Sequence, residues 1–201
     1  MHKTCARNMS ELHLVMFPFF AFGHISPFVE LSNKLSSYPG IKIYFLAASA
    51  SVSRIETMLN PTTSKVIPLT LPHVDGLPQG IENTSDTSPA THELLKVALD
   101  LMQPHIKTLL TNLKPSFVFF DFAQWWLPDI ASELGIKTIH FLVFTAICRA
   151  LVTRWFNHDT LPSIEEMKKP PRDIKCRAVA PFSFICTFLG SDGVRTPPFP
   201  V

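Results

Sequence analysis

Two side chains in this sequence are of the right type to take a proton from a hydroxyl group, His24 and Asp121. Histidine, with an unperturbed pKa of ~6.5, can accept that proton near neutrality if its other ring nitrogen is held as a donor. A buried carboxylate holds that nitrogen and stabilises the imidazolium once it forms. Spacing alone leaves a second reading open, in which His24 is a loop-end histidine and Asp121 caps a helix starting near Gln124. Other candidates carry less. Gly23 stands alone, without a G-x-G-x-x-G or a phosphate-binding loop signature. Ser26 has no elbow of glycines, so serine hydrolase chemistry is unsupported. His92-Glu93 lacks the second histidine of a zinc-protease helix and reads as a helix start. His105 and His140 lie on apolar elements, where satisfied core histidines are commoner than ligands, and Trp125-Trp126 reads as a helix–sheet packing pair.

For His24 and Asp121 to meet, the chain must bring two distant loops to one edge of a sheet. The hydrophobic pattern predicts such a sheet. Leu12 to Pro18 is a continuous apolar run, as expected of a parallel strand covered on both faces. A loop with Gly23 leads to Ser26-Pro27, a helix start with Pro at the first helical position, and Phe28, Leu31 and Leu35 recur at helical spacing. Ile41 to Leu46 reads as a second strand, Ser51 to Leu59 as a short helix and Lys65 to Leu71 as a third strand. Residues 72 to 90, rich in Pro, Gly, Ser, Thr and Asp, read as a long and therefore functional or mobile loop. Thr91 to Leu113 is helical in pattern, Phe117 to Phe120 is a fourth strand running into Asp121, and Gln124 to Leu134 is a helix capped by Gly135. Ile136 to Phe141 makes a fifth strand, and Thr145 to Phe156 begins another helix. Strands alternating with helices predict an α/β, Rossmann-like, doubly wound parallel sheet, in which ligands gather beyond the carboxyl ends of the strands. His24 and Asp121 both fall at that edge, so the geometric expectation is a hydrogen bond between them.

Composition narrows the class. Hydrophobic residues are 46% and charged ones 17%, which is globular rather than disordered, and a net charge of +2 is too mild to argue for nucleic acid or an anionic membrane. Cys5, Cys148, Cys176 and Cys186 form no C-x-x-C pair or zinc-like spacing and read as free thiols in a reducing, cytoplasmic compartment. No apolar run reaches the ~18–20 residues of a membrane-spanning helix. Lys3 and Arg7 before Leu14 to Phe22, with Ala21-Phe22-Gly23, loosely imitate a secretory signal, but that stretch is better explained as a buried strand. The sequons at Asn8 and Asn83 matter only under the secretory reading.

The words of the sequence add more than its spacing. Phe17-Pro18-Phe19-Phe20-Ala21-Phe22-Gly23-His24-Ile25-Ser26-Pro27-Phe28, followed by Glu30-Leu31-Ser32, resembles the first loop of plant family-1 UDP-glycosyltransferases. Lys114-Pro115, Phe119-Phe120-Asp121-Phe122-Ala123 with Trp126-Leu127-Pro128, and Ala131-Ser132-Glu133-Leu134-Gly135-Ile136-Lys137 are similar to the same group. The nearest similarity is to enzymes that add a sugar to the sugar of a flavonoid or related glycoside. The resemblance implies a two-domain GT-B architecture, with the acceptor on the N-terminal domain and the UDP-sugar co-substrate mostly on the C-terminal one. It implies inverting, metal-independent transfer with no cofactor, His24 as base and Asp121 as its partner. It places Gly23, Ser26 and Thr145 near the donor, and Phe20, Phe122 and Trp125 along the acceptor. No nucleic acid or membrane insertion is expected.

The departures from the pattern matter too. The donor box of the family, beginning Trp-Ala-Pro-Gln, does not occur, and from about Pro171 the resemblance ends. The domain expectation is therefore a short extension over 1–11, an acceptor-binding domain over 12–170 and a divergent tail over 171–201. The functional expectation is a UDP-sugar-dependent glycosyltransferase in a truncated form that is inactive by itself. The alternative is a non-catalytic domain that binds a small-molecule acceptor.

Overall fold

The computed structural model describes residues 11–78, 80–84, 88–144 and 186–187. Strands β1 (Leu12–Phe17), β2 (Ile41–Ala48), β3 (Ser64–Leu69), β4 (Phe117–Phe120) and β5 (Lys137–Phe141) line up in the order β3-β2-β1-β4-β5, and the two-residue β6 (Cys186–Thr187) follows β5 in that order. β1 pairs in parallel with both β2 and β4, β2 with β3, and β4 with β5. β1 is central and its last four residues are buried, as its unbroken apolar run requires. β3 lies at an edge, which accommodates Pro68: a residue without an N–H costs nothing on the side with no neighbour. Residues 142–186 form a separate compact unit, of which only Leu142–Phe144 and Cys186 are described.

Among the described residues five helices connect the strands: α1 (Phe22–Leu35), α2 (Val52–Met58, after a 3-10 turn Ser49–Ser51), α3 (Pro89–Leu101), α4 (Gln103–Leu113) and α5 (Leu127–Glu133). α1 buries Ile25, Phe28, Val29 and Ser32, one stripe at helical spacing, against the sheet. Its start differs from the sequence expectation. The helix begins five residues before Pro27, so that Pro27 stands inside it and His24 and Ser26 are helical rather than in a loop. Pro27 forgoes one backbone bond, to the carbonyl of Gly23, close enough to the helix start for solvent to serve that oxygen.

The single helix expected over residues 91–113 is two. Met102 separates them, and Pro104, which has no N–H to continue the first helix, opens the second. α5 starts at Leu127, not Gln124, and ends where Ile136 N–H bonds the Ala131 carbonyl around Gly135, whose φ of 68° suits glycine. The helix expected from Thr145 lies outside the described residues. Among the described residues the phenylalanines mostly serve the core: Phe17, Phe20, Phe28, Phe45 and Phe141 are fully buried, each contributing on the order of 1.5–3 kcal/mol of transfer free energy. Among the described residues no helix is long and apolar enough to cross a membrane.

Candidate active site

In the order β3-β2-β1-β4-β5 the direction of winding reverses between β1 and β4, and the carboxyl ends of that pair form the crevice where open α/β sheets hold ligands. Phe17 and Phe120 are the last residues in register there. Beyond Phe17 the chain turns through Pro18–Ala21 into α1, which sets His24 on the first helical turn. Beyond Phe120 comes Asp121, completely buried.

The two side chains meet: His24 Nδ1 lies 2.6 Å from Asp121 Oδ2. The same oxygen accepts the Phe19 N–H at 3.3 Å, and Oδ1 accepts the Phe122 N–H at 2.7 Å. A carboxylate with three donors around it has its position fixed by both loops, and it compels His24 to carry its proton on Nδ1. The lone pair is then on Nε2. Of the two readings left open by spacing, helix capping fails, because α5 starts six residues after Asp121 and its N-cap is Trp126.

Aromatic rings enclose the pair. Phe19 meets the imidazole edge-on at 5.6 Å between centroids, Phe122 lies at 5.3 Å, and the two Phe rings touch each other at 5.3 Å. They shield the Nδ1–Asp121 side from water, which strengthens the bond, while 15% of the His24 side chain remains exposed. Lys96 Nζ sits 5.9 Å above the Phe122 ring.

The remaining candidates divide. Gly23 is exposed on the first turn, and a Cβ built there meets no atom within 4 Å. Ser26 is half-buried one turn on. Phe122 is half-buried beside His24, whereas Phe20 is 1% exposed and belongs to the core. The tryptophan pair splits. Trp126 is packed edge-on against Phe17, as a core residue, but Trp125 is 62% exposed and packs nothing away. Thr145 lies outside the described residues. His105 is exposed, not in the core as expected, because Pro104 restarts the helix with Ile106 and Leu110 inward; His140 is half-buried and stacks on Phe120 at 4.9 Å. Among the described residues no three His, Cys, Asp or Glu side chains group as metal ligands.

Several features at this edge were not legible in sequence. The long loop is fastened: Thr84 N–H donates to the Phe20 carbonyl at 3.1 Å, and Glu82 Oε2 accepts the Ala50 N–H at 2.6 Å at the start of the turn into α2. Val74 and Leu77 pack on Leu95 and Ala98 of α3. Behind it, Trp126 Nε1 donates to Asp100 Oδ1 at 2.8 Å. Burial raises the Asp100 carboxyl above its ordinary value, and the Trp126 hydrogen bond pulls the other way. A surface hollow of ≈510 Å³ lined by Leu110, Lys114, Pro115, Glu133 and Ile136 lies at the opposite, amino edge of the sheet, so it has no part in this chemistry.

A parallel, Rossmann-type sheet of this kind is the class of domain seen in GT-B glycosyltransferases. The fold superposes on Arabidopsis thaliana UGT89C1 complexed with UDP at a TM-score of 0.64 and 18% identity, over 79% of this chain and 39% of that one. Sequence relatives are nearer. UDP-glycosyltransferase 79A2 of Stevia rebaudiana is 78% identical over 141 residues, 69% of this chain and 31% of that protein. Anthocyanidin-3-O-glucoside rhamnosyltransferase of Petunia hybrida is 60% identical over 175 residues, 85% of this chain and 37% of that protein. No family model matches the chain. Over the matched residues this chain is a homologue of plant family-1 UDP-glycosyltransferases, related to their N-terminal part, and it spans about a third of the length of the two relatives just named.

Proposed function

We propose that this domain supplies the acceptor side and the base of an inverting sugar transfer from a UDP-sugar to a hydroxyl of a flavonoid or similar plant glycoside. The observation that carries the proposal is the 2.6 Å contact between His24 Nδ1 and the buried Asp121, at the switch-point edge of the sheet. In this reading Nε2 takes the acceptor's hydroxyl proton as its oxygen attacks the anomeric carbon. The new C–O bond forms opposite the breaking bond to the diphosphate, UDP departs with that bond's electron pair, and Asp121 stabilises the imidazolium. The Petunia relative, which by its name acts on an anthocyanidin 3-O-glucoside, supports a sugar-bearing acceptor. The exposed Gly23 and the half-buried Ser26 face the donor in this scheme, Thr145 contributes to the same side, and Phe122 and Trp125 border the acceptor.

Residues 12–170 form the acceptor-binding domain in this reading, with 1–11 an extension and 171–201 a divergent tail; the cysteine pattern suits the cytoplasm. The test is transfer from several UDP-sugars to flavonoid glycosides by a protein carrying this domain, with and without His24→Ala. A His24→Ala protein that keeps near-normal turnover refutes the assignment of the base.

A second reading, a non-catalytic acceptor-binding domain, has one observation in its favour. The chain is 48% identical over 176 residues both to UDP-glycosyltransferase 79A6 of Glycine max and to a relative named as inactive, covering 36% of the first and 54% of the second, so the inactive one is shorter. Calorimetry with a flavonoid glycoside on the 201 residues alone separates the two: a domain that binds acceptors by itself holds the glycoside, whereas half of a groove binds it only near the ~mM end of the affinity scale. Diphosphate charge must be held by positioned donors in a site shielded from water, and one open wall of a cleft is expected to give no measurable specific UDP affinity and no product overnight.

A further inference from the structure

Gln124 is completely buried, yet it belongs neither to a helix nor to the apolar core. Its side-chain amide reaches two main chains. Nε2 donates to the Pro18 carbonyl at 3.2 Å, and Oε1 accepts the Asp121 N–H at 3.2 Å. Pro18 and Asp121 directly follow Phe17 and Phe120, the last registered pair of β1 and β4. At this point the strands separate to send one chain into α1 and the other toward α5. The amide of Gln124 therefore stands where a peptide group would otherwise link the strands, with one donor and one acceptor facing the right ways.

We propose that Gln124 is the positioning residue of the His24–Asp121 pair, bridging the ends of β1 and β4 so that the Asp121 carboxylate stays aimed at Nδ1. The importance of the pair rests on the function proposed above, but the geometry can be tested without any transfer assay. Only glutamine among residues of this length supplies both groups. Glutamate would set an acceptor against the Pro18 oxygen, and leucine would leave a buried N–H and a buried carbonyl without partners. With leucine the Asp121 N–H loses its acceptor; with glutamate the side chain that accepts it is repelled by the Pro18 carbonyl and the link to β1 is lost, so in either case the carboxylate that selects the histidine tautomer is no longer held in place.

The experiment reads the His24 ring nitrogens by 15N NMR, through the carbon-bound ring protons, at mildly alkaline pH in the 201-residue chain. The unsubstituted ring is expected to hold its proton on Nδ1. Asp121→Asn supplies the signature of a broken pair, and Gln124→Leu should move most of the way toward it. Gln124→Glu, nearly isosteric, should move in the same direction and decides the matter if Gln124→Leu does not fold. Leu110→Ala, a cavity in the core on α4, should leave the tautomer unchanged. A folded Gln124→Leu or Gln124→Glu protein that keeps the Nδ1 proton overturns the proposal. So does a Leu110→Ala protein that loses it, since the pair would then follow general stability. An unsubstituted ring with no preference for Nδ1 overturns the proposed base as well, which distinguishes the two failures.

Discussion

Asp121→Asn changes one oxygen to an amide nitrogen inside a fully buried site, where the surrounding donors dictate how the amide sits. Oδ1 holds the shorter backbone bond, 2.7 Å to the Phe122 N–H, so the remaining oxygen is expected to stay there. The new NH2 group then faces two donors, the Phe19 N–H and His24 Nδ1. The histidine can escape by moving its proton to Nε2; the Phe19 amide cannot. One buried N–H left without a partner costs about 1–3 kcal/mol, equivalent to a fall of roughly 2–12 °C in melting temperature for a chain of this size. Turnover should suffer far more. With the proton on Nε2 there is no lone pair for the acceptor hydroxyl, and the corresponding change in the serine-protease triad lowers turnover about 10⁴-fold, on the order of 5.5 kcal/mol. A domain with about 5–15 kcal/mol of stability remains folded after a loss of 1–3, so unfolding could not mimic the effect. The assay pairs thermal melts with turnover measurements in a protein that performs the transfer. A folded Asp121→Asn protein within tenfold of the original rate would refute the argument that the carboxylate sets the tautomer.

His24→Ala should abolish most turnover and leave UDP affinity in the same protein nearly unchanged, because the base acts mainly in the transition state; titration calorimetry beside the rate assay checks this. Gly23→Ala should fold normally and melt at the same temperature or slightly higher, since a Cβ there meets nothing and alanine favours the helix by about 0.5–1 kcal/mol. A lowered turnover in that variant would then report a clash with bound donor. Asp100→Asn keeps an oxygen for Trp126 Nε1. The folded state raises the Asp100 pKa, so this group's contribution to stability is present below the ordinary carboxylate value and is lost as pH rises through the raised one. The variant should therefore melt higher than the original near pH 7, with the difference vanishing toward acid. Glu82→Ala should speed hydrogen exchange at the Ala50 amide and cost about 0.5–1 kcal/mol, the value of an anion at a helix start.

The sequence by itself determined the raw material of the strand order and the polar residues that fall at the ligand edge. Unbroken apolar runs such as Leu12–Phe17 and Phe117–Phe120 must be buried on both faces, so a parallel sheet with helices on each side was already implied. Once the sheet was implied, residues just past strand ends were at the ligand edge, and His24 and Asp121 were the polar ones with useful proton chemistry. What periodicity could not show was where helices stop and start near proline. Pro27 inside α1 and Pro104 at the head of α4 each satisfy local rules in more than one register, and packing against the sheet chose between them. Burial likewise separated residues that look alike in sequence, placing Phe20 in the core and Phe122 at the site, Trp126 inside and Trp125 outside. Only the tertiary structure revealed the contacts of Gln124 and Glu82, because a polar side chain that binds distant backbone leaves no periodic trace; its partners are set by where the strands end.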